Sequence, residues 1–337
     1  MAPSLVSDRP SSVLPIIFAI LVLALIGVYF QGGKLGEEYL RTEQLRRHLE
    51  ILEGRAESPT QYRVLSEWLV ELWVRAIQRV GIPDPLVVSF LSFRVAQNAI
   101  ILALASVYYR RLGMGDYAVL AALAVITWSM THSLFDSDLS FNLYSDLIFY
   151  LASGVLLMRG RDLWIVPLVG LAGLNRETSG LIVPMTLLAG YSRRGSWDRR
   201  AIVVSAAALL AFLAGYLAVR LALGPRPMMT PHGRVPGLDL LSYNLLRRQT
   251  WVHLAASWSV FPLIAILGHE RLPDILRRWL IWIPPIWITI HFVLAVAAEV
   301  RLMLMPQIMI FVPAAFLAVQ SIGPRRSHPT DLSPPAT

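Results

Sequence analysis

The chain contains several short groups of residues that could carry out acid–base chemistry or bind an anion. The first is Glu37–Glu38–Tyr39, which follows closely after an apolar stretch at 13–30. A carboxylate in this position could act as a general base or as a metal ligand. The same residues would equally suit the acidic first turn of a helix, where the helix dipole stabilises negative charge.

A second group is Gln61–Tyr62–Arg63, and a third combines His132 with Asp136 and Asp138. The guanidinium of Arg63 could hold a phosphate or a carboxylate through its forked geometry, or it could extend to lipid headgroups. Asp136 and Asp138 could hold a divalent metal ion, the one cofactor that the sequence suggests. The third group lacks a dense set of ligands, so a capped, solvated turn is the alternative.

The most specific group is the run Asn175–Arg176–Glu177–Thr178–Ser179, together with Glu299 and Arg301. Ionisable residues at a membrane boundary usually pair with one another or line a pathway. Arg176 could therefore pair with Glu299, and Glu177 with Arg301, as structural ion pairs. The alternative is an anion site in which Thr178 and the free N–H groups of a helix start act as donors.

The composition indicates which elements must position these groups. Of the 337 residues, 55% are hydrophobic and 15% are charged, and the mean hydropathy is +0.57. A soluble domain normally has about 25% charged residues. The composition therefore excludes a secreted or cytosolic globular enzyme. The chain has no cysteine, which excludes disulfides, thiolate nucleophiles and iron–sulfur clusters.

The apolar stretches predict an all-α, polytopic membrane protein with about nine or ten membrane helices, two of them of half length. A helix needs about 20 apolar residues to cross the hydrocarbon layer. The stretches lie at 13–30, 95–109, 117–134, 143–158, 163–174, 179–191, 201–222, 251–268, 279–298 and 302–320.

Arginine-rich loops predict the orientation, because short cytoplasmic loops are enriched in Lys and Arg. If both termini are cytoplasmic, five basic clusters lie on the cytoplasmic side and all four polar groups lie on the outer side. The net charge of +8 is thus a topology signal and does not indicate nucleic-acid binding. The clusters are Arg110–Arg111, Arg159 with Arg161, Arg193–Arg194 with Arg199–Arg200, Arg277–Arg278, and Arg325–Arg326.

The segment 163–191 is predicted to form two short helices that meet at an outward-facing turn. As one helix it would place Arg176 and Glu177 near the middle of the bilayer, where inserting each charged residue costs roughly 2.5–3.5 kcal/mol. A single helix would also export the Arg-rich segment 193–200. Half-length helices are tolerated only beside protein or a watery cavity. The sequence therefore predicts a polar cavity that opens outward.

Residues 1–323 are predicted to form a single integral membrane domain with two large exported segments. The first, 31–94, carries amphipathic helices near 34–53 and 60–80, and the second, 223–250, is a long loop rich in Pro and Gly. Tyr and Trp in the first segment suit a membrane interface. Residues 324–337 are predicted to be a disordered cytoplasmic tail.

At these residues the chain resembles bacterial polytopic proteins related to the GT-C superfamily of integral membrane glycosyltransferases. The likeness rests on the anchor helix followed by the exported acidic pair and Tyr39, and on the Gln61–Leu65 stretch. The Leu174–Thr178 turn and the late Glu299–Arg301 motif complete it. The resemblance extends over about residues 13–320.

The resemblance implies a glycosyltransferase of the bacterial inner membrane that takes its sugar from a polyprenyl-phosphate donor. It implies that Glu37 or Glu38 is the catalytic base, although the family commonly uses Asp there. Membrane lipids and the polyprenyl-linked sugar would be its binding partners. The residues expected to bind the substrate are Tyr39, Arg63, Asn175, Arg176, Glu177, Thr178, Glu299 and Arg301.

Two further functional classes remain compatible with the sequence. The amphipathic helices of 31–94 could dock a partner, so the chain could be a non-catalytic subunit of a larger membrane complex. The half-length helices could instead form the binding site of a lipid transporter. No internal repeat is visible, which makes transport less attractive.

Overall fold

The computed structural model describes residues 13–133, 138–194 and 197–321, and these residues form an all-α bundle without a β-strand. Asp136 and the predicted tail 324–337 lie outside the described residues. The helices of the first half are α1 (Val13–Leu35), α2 (Glu37–Tyr39), α3 (Leu45–Leu52), α4 (Val64–Val80), α5 (Pro85–Arg111), α6 (Asp116–His132), α7 (Phe141–Met158) and α8 (Ile165–Gly173).

The second half continues with shorter and more often interrupted helices. They are α9 (Ile182–Arg194), α10 (Arg199–Leu223), α11 (Leu238–Leu246), α12 (Arg248–Trp258), α13 (Phe261–Leu267), α14 (Asp274–Leu294), α15 (Leu304–Pro306) and α16 (Val312–Gln320). Short 3-10 turns include Thr60–Tyr62, Glu177–Leu181 and Val300–Met303, and the π-helical turn Gln307–Phe311 joins α15 to α16.

The polytopic helical class predicted from the sequence is confirmed, since each of the ten apolar stretches overlaps a helix. Five segments of the described chain are long and apolar enough to cross a membrane. They are Leu14–Leu35, Pro85–Arg111, Phe141–Met158, Arg199–Leu223 and Val300–Gln320. The number rises to six if the bent pair α12 and α13 is one span.

Two predictions about helix continuity have different outcomes. The break in 163–191 is confirmed, because α8 ends at Gly173 and α9 begins at Ile182. The apolar stretch 251–268 is broken as well, although its composition gave no reason to expect this. Its two helices, α12 and α13, are bent by 70°. Ser259, which caps α12, has a positive φ of 50° and so cannot continue the helix.

Burial separates central helices from peripheral ones. The segment Val300–Gln320 is 83% buried within the bundle and α7 is 72% buried, whereas α10 is only 28% buried. The central pair therefore packs against protein on most sides, while α10 and α1 present apolar side chains outward. Helices α3 and α4 cover one end of the bundle, where Leu40, Val70 and Val74 pack with Phe90 of α5.

Candidate functional site

A cavity of about 950 Å³ lies at the end of the bundle that α3 and α4 cover. Its wall comes from α3 and the following turn, the start of α7, the turn before α9, the end of α10 with its following loop, the end of α14 and residues 299–302. The charged residues of this wall are Arg46, Arg47, His48, Glu50, Arg55, Glu57, Arg63, Glu67, Asp138, Arg176, Glu177, Arg220, His291, Glu299 and Arg301.

The cavity collects most of the residues that the sequence singled out. Six of the eight predicted substrate-binding residues line it: Arg63, Arg176, Glu177, Thr178, Glu299 and Arg301. Segments far apart in the chain thus meet at one place. The lining also includes the apolar side chains of Met228, Met229, Ile290 and Leu294. The site can therefore accept a ligand that has both an anionic and an apolar part.

Arg63 and Glu177 form an ion pair across the cavity wall. Arg63 is the last residue before α4, and Glu177 begins the 3-10 turn before α9. Burial alone would raise the pKa of Glu177, but the charges of Arg63 and Arg176 outweigh it and lower the pKa to about 2. Glu177 is therefore a carboxylate at neutral pH, and it fixes the position of Arg63.

A second network joins Arg301 to two carboxylates. Arg301 Nη2 lies 2.7 Å from Glu299 Oε2, and Arg301 also pairs with Asp138. Arg47 Nη1 lies 2.8 Å from the other oxygen of Asp138. Burial opposes ionisation of Asp138, but the two guanidinium groups hold its pKa well below the usual range. Asp138 thereby links helix α3 to the start of the segment Val300–Gln320.

These partners correct the pairing considered from the sequence. Arg176 does not pair with Glu299, and Glu177 does not pair with Arg301. Glu177 pairs with Arg63 instead, and Arg301 pairs with Asp138. The segments 45–63 and 138–140 supply these partners, and their distance from Glu177 and Arg301 cannot be read from the sequence.

Arg176 differs from the other buried arginines of the cavity, because its side chain has no hydrogen bond to any described residue. It is 3% exposed, and its Nε lacks a hydrogen-bond partner. It forms a long ion pair with Asp146, whose Oδ2 is 4.0 Å from Nε. Thr178 Oγ1 and Ser179 Oγ both donate to Asp146, which uses much of its accepting capacity. Arg176 thus retains donors for an anion in the cavity.

Four predicted residues lie outside the cavity wall. Asn175 is fully buried behind it, where its Nδ2 donates to Asn142 O at 2.7 Å and its Oδ1 accepts from Ser66. Glu37 and Glu38 are exposed, and Glu37 forms an ion pair with Arg41. Tyr39 is partly buried beside Arg47 and Asp138, and burial raises the pKa of its hydroxyl. The structure does not bring the predicted catalytic pair to the cavity.

The described residues give no support to the predicted metal site. Asp136 lies outside them, and both oxygens of Asp138 are occupied by arginines, which compete with a cation for the same lone pairs. Among the described residues no group of three or more His, Asp or Glu side chains could hold a metal ion.

Sequence reasoning missed three cavity features. Arg220 of α10 lies over the rings of Tyr216 and Tyr62, at 3.5 and 4.4 Å. His291 of α14 donates a hydrogen bond from Nδ1 to Trp287 O at 2.8 Å, so Nε2 of the neutral ring carries no proton and can act as an acceptor. Glu57 lines the cavity beside a bridge between Ser58 and Met228. Of these features, only the contact between Tyr216 and Arg220 could have been predicted from the sequence, because residues four apart share one face of a helix.

Searches with the whole chain found no matching family model, curated protein or solved structure.

Proposed function

We propose that this protein is a glycosyltransferase of the GT-C type that uses a polyprenyl-phosphate-linked sugar at the outer face of the bacterial inner membrane. The observation that carries the proposal is Arg176, a buried guanidinium without a hydrogen bond, in a cavity lined by arginines and by apolar side chains. Its one ion pair, with Asp146, is long at 4.0 Å, so a bound anion would stabilise the buried charge further. A phosphate attached to an apolar chain matches both kinds of lining residue, and Arg220 is a further cation among them.

The expected reaction is displacement at the anomeric carbon of the donor sugar. The bond from this carbon to the phosphate oxygen breaks, and the electron pair leaves with the polyprenyl phosphate. An acceptor hydroxyl forms the new glycosidic bond and gives its proton to a carboxylate base. Arg176 and Arg63 stabilise the charge that develops on the leaving phosphate.

The base is expected to be a carboxylate of the cavity that is not already held in an ion pair. Glu50, Glu67, Asp138, Glu177 and Glu299 are each bound by an Arg or by His48. Glu57 has neither an ion pair nor a side-chain hydrogen bond to a described residue and lines the cavity. We therefore place Glu57 ahead of Glu37 and Glu38 as the base.

The first test is lipid binding, measured by native mass spectrometry of the full chain extracted gently from its membrane. Retained polyprenyl phosphate is expected for the wild type and for Arg75→Met, a substitution of an exposed arginine outside the cavity. Arg176→Met should reduce the bound fraction at least tenfold. Equal retention by Arg176→Met, or no polyprenyl lipid in the wild type, would contradict the proposal.

The second test follows polyprenyl phosphate released from the donor in nanodiscs supplied with envelope extract as acceptor. Glu57→Gln should lower turnover by about 10²–10⁴-fold, the usual contribution of a general base, with lipid binding intact. Glu37→Gln and Glu38→Gln are the matched comparison, because both residues are exposed outside the cavity. Loss of turnover in one of these two variants, but not in Glu57→Gln, would restore the sequence prediction.

A non-catalytic subunit of a membrane complex is the second candidate function. It is favoured by α4, on which Trp68 and Leu72 are 50% and 63% exposed. An exposed apolar face of this kind suits either the membrane interface or a partner helix. The same mass spectrum separates the two functions, since a stoichiometric protein partner without bound polyprenyl lipid would favour the subunit.

A further inference from the structure

Arg94 is a second buried arginine, and it lies outside the cavity wall. It belongs to α5, about 14 Å along the helix from Pro85 by the rise per residue. The residue is fully buried, and Nε, Nη1 and Nη2 all lack a hydrogen-bond partner among the described residues. A guanidinium has five N–H donors in one plane and cannot lose its charge in a protein.

Two aromatic rings lie close to this guanidinium. The Arg94 Cζ atom lies 3.5 Å from the centroid of Tyr144 and 5.3 Å from that of Phe141, both in the first turns of α7. The rings attract the cation through their π-systems. They do not accept conventional hydrogen bonds from its N–H groups, which stay without a partner.

The acids of the described chain that act on Arg94 already have partners of their own. The acids that act on it electrostatically are Asp138 and Glu67. Asp138 is already shared by Arg47 and Arg301, and Glu67 lies 2.6 Å from His48 Nδ1. The desolvation cost of an uncompensated buried charge exceeds the stabilisation that cation–π contacts give.

Other buried polar atoms near Arg94 are also without partners. They are Gln97 Oε1, Asn98 Nδ2 and Oδ1, and Gln31 Oε1. Gln97 Nε2 donates to Phe141 O, and Gln31 Nε2 donates to the hydroxyl of Tyr144, so both amides contact the same turns of α7 as Arg94. Such a group of unpartnered atoms marks the place of a bound ion with its water.

We propose that Arg94 binds a small inorganic anion, a halide such as chloride, in a site between α5 and α7 that is separate from the cavity. A monatomic anion accepts hydrogen bonds from converging N–H groups and brings no donors or acceptors of its own to satisfy. The amide of Asn98 supplies a further donor, and the free amide oxygens accept from accompanying water. The site holds the charge that the helix pair could otherwise bury only at high cost.

The test measures the thermal unfolding midpoint of the full chain in nanodiscs, with chloride replaced by gluconate at constant ionic strength. The wild-type midpoint should rise with chloride and saturate, as expected for a ligand that binds only the folded state. Arg94→Met should remove this dependence, while Arg75→Met, at an exposed arginine, should keep it. An unchanged wild-type midpoint, or full dependence in Arg94→Met, would overturn the proposal.

A direct measurement covers the case in which Arg94→Met does not fold. Wild-type crystals grown in bromide should show an anomalous peak within hydrogen-bond distance of the Arg94 guanidinium. Density for water alone at that place would overturn the proposal, whatever the stability measurements show.

Discussion

His48 is an imidazole held between two carboxylates at the junction of α3 and α4. Its Nδ1 lies 2.6 Å from Glu67 Oε2, and its Nε2 lies 3.3 Å from Glu71 Oε2. Because both ring nitrogens face an acid, both act as donors and the ring is favoured in its charged form. Burial acts to lower the pKa of His48, but hydrogen bonds to Glu67 and Glu71 raise it above 6.5.

The raised pKa of His48 predicts that the stability of the contact between α3 and α4 depends on pH. The stabilisation from charged His48 is complete below pH 6.5, the pKa in the unfolded chain, and is lost as the pH rises through the higher folded pKa. His48→Gln should lower the free energy of unfolding by about 1.5–3 kcal/mol at pH 6, the usual value for hydrogen bonds to charged groups. Chemical unfolding from pH 5.5 to 9 measures this.

The matched control is His269→Gln, because His269 is exposed on a short 3-10 turn. It should leave the pH profile of the wild type unchanged, whereas His48→Gln should flatten it above pH 6.5. A wild-type profile that is already flat would mean that the imidazolium does not stabilise the fold.

At the residue scale, the sequence indicates which residue types form the site but not which ion pairs and hydrogen bonds they make. The run around Arg176 was identified because charges between two apolar half-helices are rare and costly. Arg94 gave no such signal, because one arginine near the start of an apolar stretch is compatible with extension to the membrane surface. The roles of Glu57 and His48 could not be predicted, because the charged segment that contains them has many similar residues.

At the element scale, α8 and α10 pack with their backbones in close contact. A Cβ placed on Gly215 of α10 would lie 2.4 Å from the backbone oxygen of Gly170 in α8. Small residues at a helix interface permit this approach in membrane proteins. The contact holds the half-length helix α8 against a long peripheral span and so positions the turn that carries Arg176.

We expect Gly215→Ala to destabilise the protein by roughly 1–3 kcal/mol, the range found for overpacking. The added methyl group meets backbone, which cannot move aside without separating the two helices. Gly33→Ala is the control, since Gly33 lies in α1 with no atom within 4 Å of an added Cβ. It should be neutral or stabilise by about 0.5–1 kcal/mol. Equal midpoints for both variants in thermal unfolding would contradict the close contact.

At the scale of the whole molecule, the cavity lies where the arginine distribution predicts the outer side. The segments that line the cavity are those that the sequence assigns to the outer face. Tyr117 marks the opposite side, because it lies at the start of α6, just after the basic cluster Arg110–Arg111 that ends α5. The orientation itself stays a prediction from the positive-inside rule.

The natural lack of cysteine makes this orientation directly testable. Arg55 lines the cavity, and its side chain is 66% exposed. Tyr117 is 91% exposed as a whole residue. Arg55→Cys should react with a membrane-impermeant maleimide in intact spheroplasts, and Tyr117→Cys should react only after permeabilisation. The reverse pattern would place the cavity on the cytoplasmic side.

The sequence by itself determined the helical membrane class, the break within 163–191 and the residue types of the site. These follow from local quantities, namely the length of apolar stretches and the cost of burying charge. Only the tertiary structure decided that Glu177 pairs with Arg63, that Asp138 bridges Arg47 and Arg301, and that the buried Arg94 guanidinium has no hydrogen-bond partner among the described residues. Pairing depends on distances between helices remote in the chain, and the packing of side chains sets those distances.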